Sequence, residues 1–212
     1  EFCNFYKKNI NKYLSTNIVQ RIFKQLITGL KFIHENNYIH RDIKMENIMI
    51  NFDDYENKLD GNKFISKYEI YSKIDLEKDN FTIKIIDFEC AKSADNNDCT
   101  SIICRKNKSM APEINKLMNE KEDNNEIEKY NSNIDIWSLG TILYELIFGF
   151  PAFFGKDSNE IISMINNGMY EIPTNLYLPV ESIHLLNGLL QFYPNKRLNW
   201  NQIINHPYVT KD

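Results

Sequence analysis

The chain has 212 residues, 42% hydrophobic and 13% aromatic, enough apolar material for one good core and too much for a disordered segment. Its 25 basic residues are spread among 29 acidic ones for a net charge of -4, with no basic stripe, which argues against a nucleic-acid-binding protein. No run of 18 apolar residues and no charged start followed by an apolar core is present, so neither a membrane span nor a signal peptide is expected and a cytoplasmic location is the default.

Cys3, Cys90, Cys99 and Cys104 form no C-x-x-C pair and read as reduced thiols, with a metal site or a disulfide the minor alternative. Asparagine, at 29 residues, is a compositional bias and carries little functional weight. The first predicted element runs from Asn17 to His34, where Ile18, Val19, Ile22, Phe23, Leu26, Ile27, Leu30 and Ile33 recur with a period near 3.6 and form the core-facing stripe of a helix. Ser15 or Thr16 can cap its start, and Asn36-Asn37 suit its end.

Next comes Tyr38-Ile39-His40-Arg41-Asp42-Ile43-Lys44-Met45-Glu46-Asn47-Ile48-Met49-Ile50, which sets a carboxylate, an ammonium group and an amide between two apolar runs. Short flanking strands would hold such a polar loop rigidly, which is how a reaction site is built. From Asn51 to Thr82 the chain is polar and charged without a convincing catalytic group. It reads as an insertion in a hairpin connection, tolerated because a longer loop adds little closure entropy. Tyr68, Ile70, Tyr71 and Ile74 are candidates for a short strand or turn there, and a partner-docking role is the minority reading.

Ile83 to Ile86 is an apolar strand running into Asp87-Phe88-Glu89; taken alone, an Asp after a strand is usually a turn former. Ala111-Pro112-Glu113 follows, then an acidic stretch, Asn119 to Glu128, that reads as a solvated loop. Asp135-Ile136-Trp137-Ser138-Leu139-Gly140 opens a helix that continues through Ile142, Leu143, Leu146 and Ile147. Apolar stripes over Asp157 to Asn167, Glu181 to Phe192 and Asn199 to Asn205 make the tail helical, with His206-Pro207 ending the last. His184 and His206 lack a companion at metal-ligand spacing and read as surface or packing residues.

In this order, H-R-D-x-K-x-x-N, a strand ending in D-F, A-P-E and D-x-W-x-x-G resemble the eukaryotic protein kinases, of serine/threonine type. The resemblance implies an α+β, mainly α-helical fold, that of the kinase large (C-terminal) lobe. It covers residues 1–51 and 83–208, within a partial kinase domain spanning 1–212 that carries 51–82 as a loop insertion. It further implies ATP and Mg²⁺ as cofactors and a protein Ser/Thr hydroxyl as acceptor. Phosphoryl transfer leaves the protein mainly to orient the hydroxyl and neutralise charge. By resemblance Asp42 accepts the hydroxyl proton, Lys44 meets the transferring phosphate, and Asn47 and Asp87 hold Mg²⁺. Arg41 would hold a phosphorylated Thr100 or Ser101, although Ile102 stands at the usual position. Backbone groups of Glu1 and Cys3 would bond adenine, with Glu46, Met49 and Asp87 completing the nucleotide's surroundings. Phe88 packs beneath His40, Glu113 pairs with Arg197 as architecture, and Asp135 accepts backbone bonds from the Arg41 region. Leu189 to Arg197, with the Glu1-Phe2-Cys3 hinge, is most similar to the Unc-like, autophagy-initiating kinases.

Three departures bear on activity. No G-x-G-x-x-G loop and no strand lysine with its helix glutamate is found, so the lobe that covers ATP is expected to be absent and the chain to be a fragment or truncated product. Glu89 replaces a glycine, which costs about 1–2 kcal/mol if the backbone there is left-handed, and it adds a carboxylate near the metal. Lys106 falls where a hydroxyl would bridge Asp42 and Lys44. Two readings follow: an ATP-dependent protein serine/threonine kinase, or a catalytically impaired kinase-like binding module.

Overall fold

A computed structural model describes residues 14–52, 74–94, 110–120, 130–174 and 176–211. The expectations for Glu1, Cys3, Tyr68, Ile70, Tyr71, Thr100, Ser101, Ile102 and Lys106 lie outside the described residues, as does most of the acidic stretch. The first helix, α1 (Thr16–Glu35), buries all eight residues of the predicted stripe. Ser15 is its cap, with the hydroxyl accepting from Ile18 N at 3.3 Å. Asn37 lies just past its end with φ 60, the left-handed stop that asparagine tolerates.

Two small antiparallel ribbons follow. Strand β1 (Tyr38–Ile39) pairs with β4 (Lys92–Ser93), and β2 (Ile48–Phe52) pairs with β3 (Phe81–Ile85). In the second ribbon Ile48, Phe52, Phe81 and Ile83 are buried, whereas Met49, Asn51, Thr82 and Lys84 face outward, the alternation of a half-covered ribbon. Gln25 of α1 holds it from below, accepting from Ile83 N at 2.8 Å and donating to Phe81 O at 3.2 Å. The strands take in Asn51↔Thr82 and Phe52↔Phe81, so the pairing extends into the stretch read as loop. At its far end Arg21 donates to the carbonyls of Leu76 (2.6 Å) and Asp79 (3.0 Å), with its guanidinium over the Phe81 ring.

The remaining helices are α2 (Pro112–Glu120), α3 (Asn133–Phe148), α4 (Ser158–Asn166), α5 (Val180–Leu189), α6 (Trp200–Ile204) and α7 (Pro207–Thr210). From Ile134 to Phe148 only Ser138 and Glu145 of α3 escape burial, so this helix is apolar on every side and forms the axis of the core, with α1 and α5 packed against it. A Cβ on Gly140 would lie 2.9 Å from Leu189 Cβ, which is why the close approach of α5 to α3 needs glycine there.

Helix α5 stops at Leu189, short of the expected Phe192. The reason is tertiary: Gly188 O, which Phe192 N–H would need in a longer helix, accepts instead from Leu198 N at 3.0 Å, and the carbonyls of Gln191 and Phe192 accept from Arg197 at 2.8 and 3.3 Å. That guanidinium also makes a bidentate pair with Glu113, 2.7 Å in each arm, and donates to Asn133 O at 2.9 Å, so all five of its N–H donors are used. Its side chain is 0% exposed and lies over Trp137, tying α2, the start of α3 and the turn after α5 into one joint.

His184 is exposed and His206 buried, the surface and packing residues the sequence suggested, and the two also meet one another. His206 Nδ1 accepts from Tyr208 N at 3.2 Å and so caps α7, while its Nε2 meets His184 Nδ1 at 2.7 Å. His206 Nδ1 therefore carries a lone pair, and a proton placed there breaks the bond to Tyr208 N. Burial, aided by His184, pushes His206 below the usual histidine range, against the opposing pull of Glu181.

Two predictions follow from this packing. Because the folded pKa of His206 lies below 6.5, its contribution to stability is complete above that pH and is lost as pH falls from there through the folded value. Thermal unfolding across pH 5 to 7 checks this: His206→Asn, whose oxygen can still cap Tyr208 but does not titrate, has a flatter profile than wild type. Arg197→Met leaves Glu113 without its partner and lowers unfolding free energy by about 3–5 kcal/mol in denaturant titrations, and the double variant with Glu113→Gln recovers part of that loss.

Candidate active site

The polar loop Arg41–Asn47 joins β1 to β2, and its shape is imposed from beneath. Arg41 has φ 67, a left-handed conformation that costs a residue with a side chain about 1–2 kcal/mol. Asp135, buried on the first turn of α3, offsets it: Oδ2 accepts from His40 N at 2.8 Å and Oδ1 from Arg41 N at 2.9 Å. Bonds to a charged acceptor contribute about 1.5–3 kcal/mol each, so two outweigh the strain. His34, at the end of α1, donates from Nε2 to the same Asp135 Oδ2 at 2.8 Å, a contact that spacing along the sequence did not suggest.

Asp42 is buried, at 4% exposure. Its Oδ2 accepts from Lys44 Nζ at 2.6 Å and from Asn47 Nδ2 at 3.0 Å, and the same amide nitrogen donates to Asp42 O at 2.8 Å. Both amide hydrogens of Asn47 are thereby engaged, which fixes the amide orientation and leaves Oδ1 as its acceptor. The neighbouring loop is sewn to this one: Ile86 N donates to Asn47 O at 3.0 Å, and His40 Nε2 donates to Ile86 O at 3.1 Å. Phe88 sets its ring edge against His40, with centroids 4.9 Å apart. The sequence motifs thus meet in space, with Asp87 one residue beyond the bridge to Asn47.

Asp87 itself has φ 66, and Glu89 is not among the residues of positive φ. The strain feared at Glu89 falls on Asp87 instead, a residue type that tolerates the left-handed region, and the glutamate is the middle residue of a 3₁₀ turn (Phe88–Cys90) in ordinary backbone. Arg41 is also placed differently from a simple phosphate ligand. Its Nε donates to Cys90 O and its Nη1 to the Tyr130 hydroxyl at 2.8 Å. Glu46 and Met49 lie on the exposed side of the loop and of β2.

Two oxygen donors, Asn47 Oδ1 and the Asp87 carboxylate, fit Mg²⁺, which keeps most of its waters and takes the rest of its ligands from phosphate. Among the described residues no group of three His, Cys, Asp or Glu side chains is placed to cage a metal ion, and no helix is long and apolar enough to cross a membrane.

The family model for the protein kinase domain matches residues 1–209. This chain belongs to the protein kinase family. Within it, the kinase domain is 31% identical over 209 residues to the serine/threonine-protein kinase ATG1 of Kluyveromyces marxianus, covering 96% of this chain and 22% of that protein. It is 33% identical over 190 residues to the DNA damage response protein kinase DUN1 of Saccharomyces cerevisiae, covering 88% of this chain and 34% of that one. The chain therefore spans between about a fifth and a third of these relatives' length. In fold it is similar to the crystal structure of the Rad53 kinase domain and SCD2, with TM-score 0.69 and 23% identity over 100% of this chain and 62% of the other.

The geometry makes Asp135 testable apart from any activity. Asp135→Asn removes a charged acceptor from two loop amides, and hydrogen exchange at His40 and Arg41 should accelerate by about 10- to 100-fold, in line with about 1.5–3 kcal/mol lost. Amides in the middle of α1 serve as the control.

Proposed function

We propose that this kinase domain, in a polypeptide that supplies a glycine-rich lobe, transfers the terminal phosphate of ATP to a serine or threonine hydroxyl of a protein. The observation that carries the reading is the buried Asp42 carboxylate, aimed by Lys44 and Asn47 and bridged through Ile86 to Asp87. Mg²⁺, held by Asn47 Oδ1 and Asp87, would neutralise phosphate charge. Asp42 takes the proton of the acceptor hydroxyl as its oxygen bonds to phosphorus and the bond to ADP breaks. Lys44 stands beside that carboxylate, where its ammonium can follow the charge of the transferring phosphate, and the two bonds to Asn47 keep the base from turning away. Glu46 and Met49 would line the nucleotide, with backbone groups of Glu1 and Cys3 on adenine and the described helices forming the large lobe beneath it. Serine/threonine specificity is supported by Lys44 in the catalytic loop and by the likeness to ATG1, which is named as a serine/threonine-protein kinase. The likeness to ATG1 supports a place among the autophagy-initiating kinases.

The second reading, a kinase-like binding module without phosphotransfer, draws on Glu89 and Lys106, residues that depart from the family pattern. Radiolabel transfer from ATP to a protein substrate separates the two. In the polypeptide carrying both lobes, Asp42→Asn lowers the rate by about 10²- to 10⁴-fold. A wild-type protein that binds ATP yet transfers no phosphate overturns the kinase reading and leaves the module.

A further inference from the structure

We propose that Trp200 is a positioning residue for the catalytic loop, acting by locking the tautomer of His34. The inference rests on the kinase reading for its functional meaning but not for its physical test. Trp200 opens α6, 166 residues from His34, and its indole Nε1–H donates to His34 Nδ1 at 3.1 Å, with the two rings in edge contact at 5.3 Å. An indole nitrogen can only donate, so His34 Nδ1 must carry a lone pair. The ring's one proton then sits on Nε2, where it donates to Asp135 Oδ2 at 2.8 Å.

The consequence runs on to the loop. Asp135 Oδ2 is shared between His34 Nε2–H and His40 N–H, while Oδ1 takes Arg41 N–H. The side chains of His34 and Asp135 are 4% and 1% exposed, so no bulk water replaces a lost partner there. Without the indole donor, the Nδ1–H tautomer becomes accessible, and it would point a lone pair from Nε2 at the carboxylate. Asp135 would then turn to find another donor and slacken its hold on the left-handed Arg41, directly before Asp42. Trp200 thereby reaches the base through three hydrogen-bonded groups without approaching the substrate.

The test is made on the full-length protein by nitrogen NMR of the His34 imidazole and by amide exchange at His40 and Arg41, in wild type, Trp200→Phe and Trp200→Ala. Wild type is expected to show Nδ1 unprotonated and Nε2 protonated. Trp200→Phe keeps an aromatic ring against His34 but has no donor. It should give mixed tautomers and roughly tenfold faster exchange at Arg41, with Leu26 unaltered, close to the behaviour of Trp200→Ala. If Trp200 acts only by packing, Phe will preserve the wild-type signature, and the proposal is wrong. An Nδ1–H tautomer in wild type overturns it without any variant. In the active kinase, Trp200→Phe should lower kcat about three- to tenfold while leaving KM for ATP unchanged. An inert wild type with the expected tautomer would count against the kinase reading alone.

Discussion

One buried carboxylate sets the geometry on which the rest depends. Asp135 takes three donors from two neighbouring segments that lie far from it in sequence, the end of α1 and the loop after β1. A charged group with 1% side-chain exposure is expensive to bury unless its acceptor sites are filled, and here the groups that fill them are the ones that must be held still. Desolvation therefore favours a fixed loop, and the loop in turn aims Asp42. Two of the left-handed residues, Arg41 and Asp87, lie on the two stretches of chain that face one another across this site. Strain at such positions persists only when the surroundings over-determine it, and the bonds through Asn47, His40 and Ile86 do so.

The helix that carries Asp135 has to be a rigid mount, and its burial makes it one. Apolar on all sides, α3 cannot slide without opening contacts to α1 and α5 together. Arg197 adds a directional constraint that greasy packing lacks. Its planar fork fixes the orientation of α2 and the turn after α5 at the same time, and it uses the Trp137 ring, two residues from Asp135, as a floor. Structure and site are thus continuous: the same helix turn that anchors the helical layers presents the carboxylate to the loop.

How much of this was legible depended on the distance over which each interaction acts. The stripe of α1, its Ser15 cap and its Asn37 stop are local, and the sequence displayed them. The polar loop Arg41–Asn47 and the D-F motif were readable because each packs unusual polar residues beside apolar runs. The meeting of Phe88 with His40, and of Glu113 with Arg197, came through resemblance and was found. What failed was long-range. The pairing of His184 with His206 spans 22 residues and follows no ligand spacing, and the links from His34 to Asp135 and to Trp200 span 101 and 166. The apolar pattern after Leu189 continued to read as helix because nothing in it announces that Arg197 claims the next carbonyls. At Glu89 the family glycine suggested a strained residue, whereas the turn placed its left-handed φ two positions earlier.

The clamp of Arg21 has a consequence of another kind. By seizing the carbonyls of Leu76 and Asp79 from the side of α1, and by lying over Phe81, it anchors the returning chain before β3 begins. The register from Phe81 to Ile85, and with it the placement of Asp87, is thus held both by the pairing with Ile48 to Phe52 and by this grip on the chain just before it. Such an arrangement works as a socket: the strand that leads to Asp87 is gripped at its entrance from α1 as well as along its ladder, and so keeps its footing from two directions.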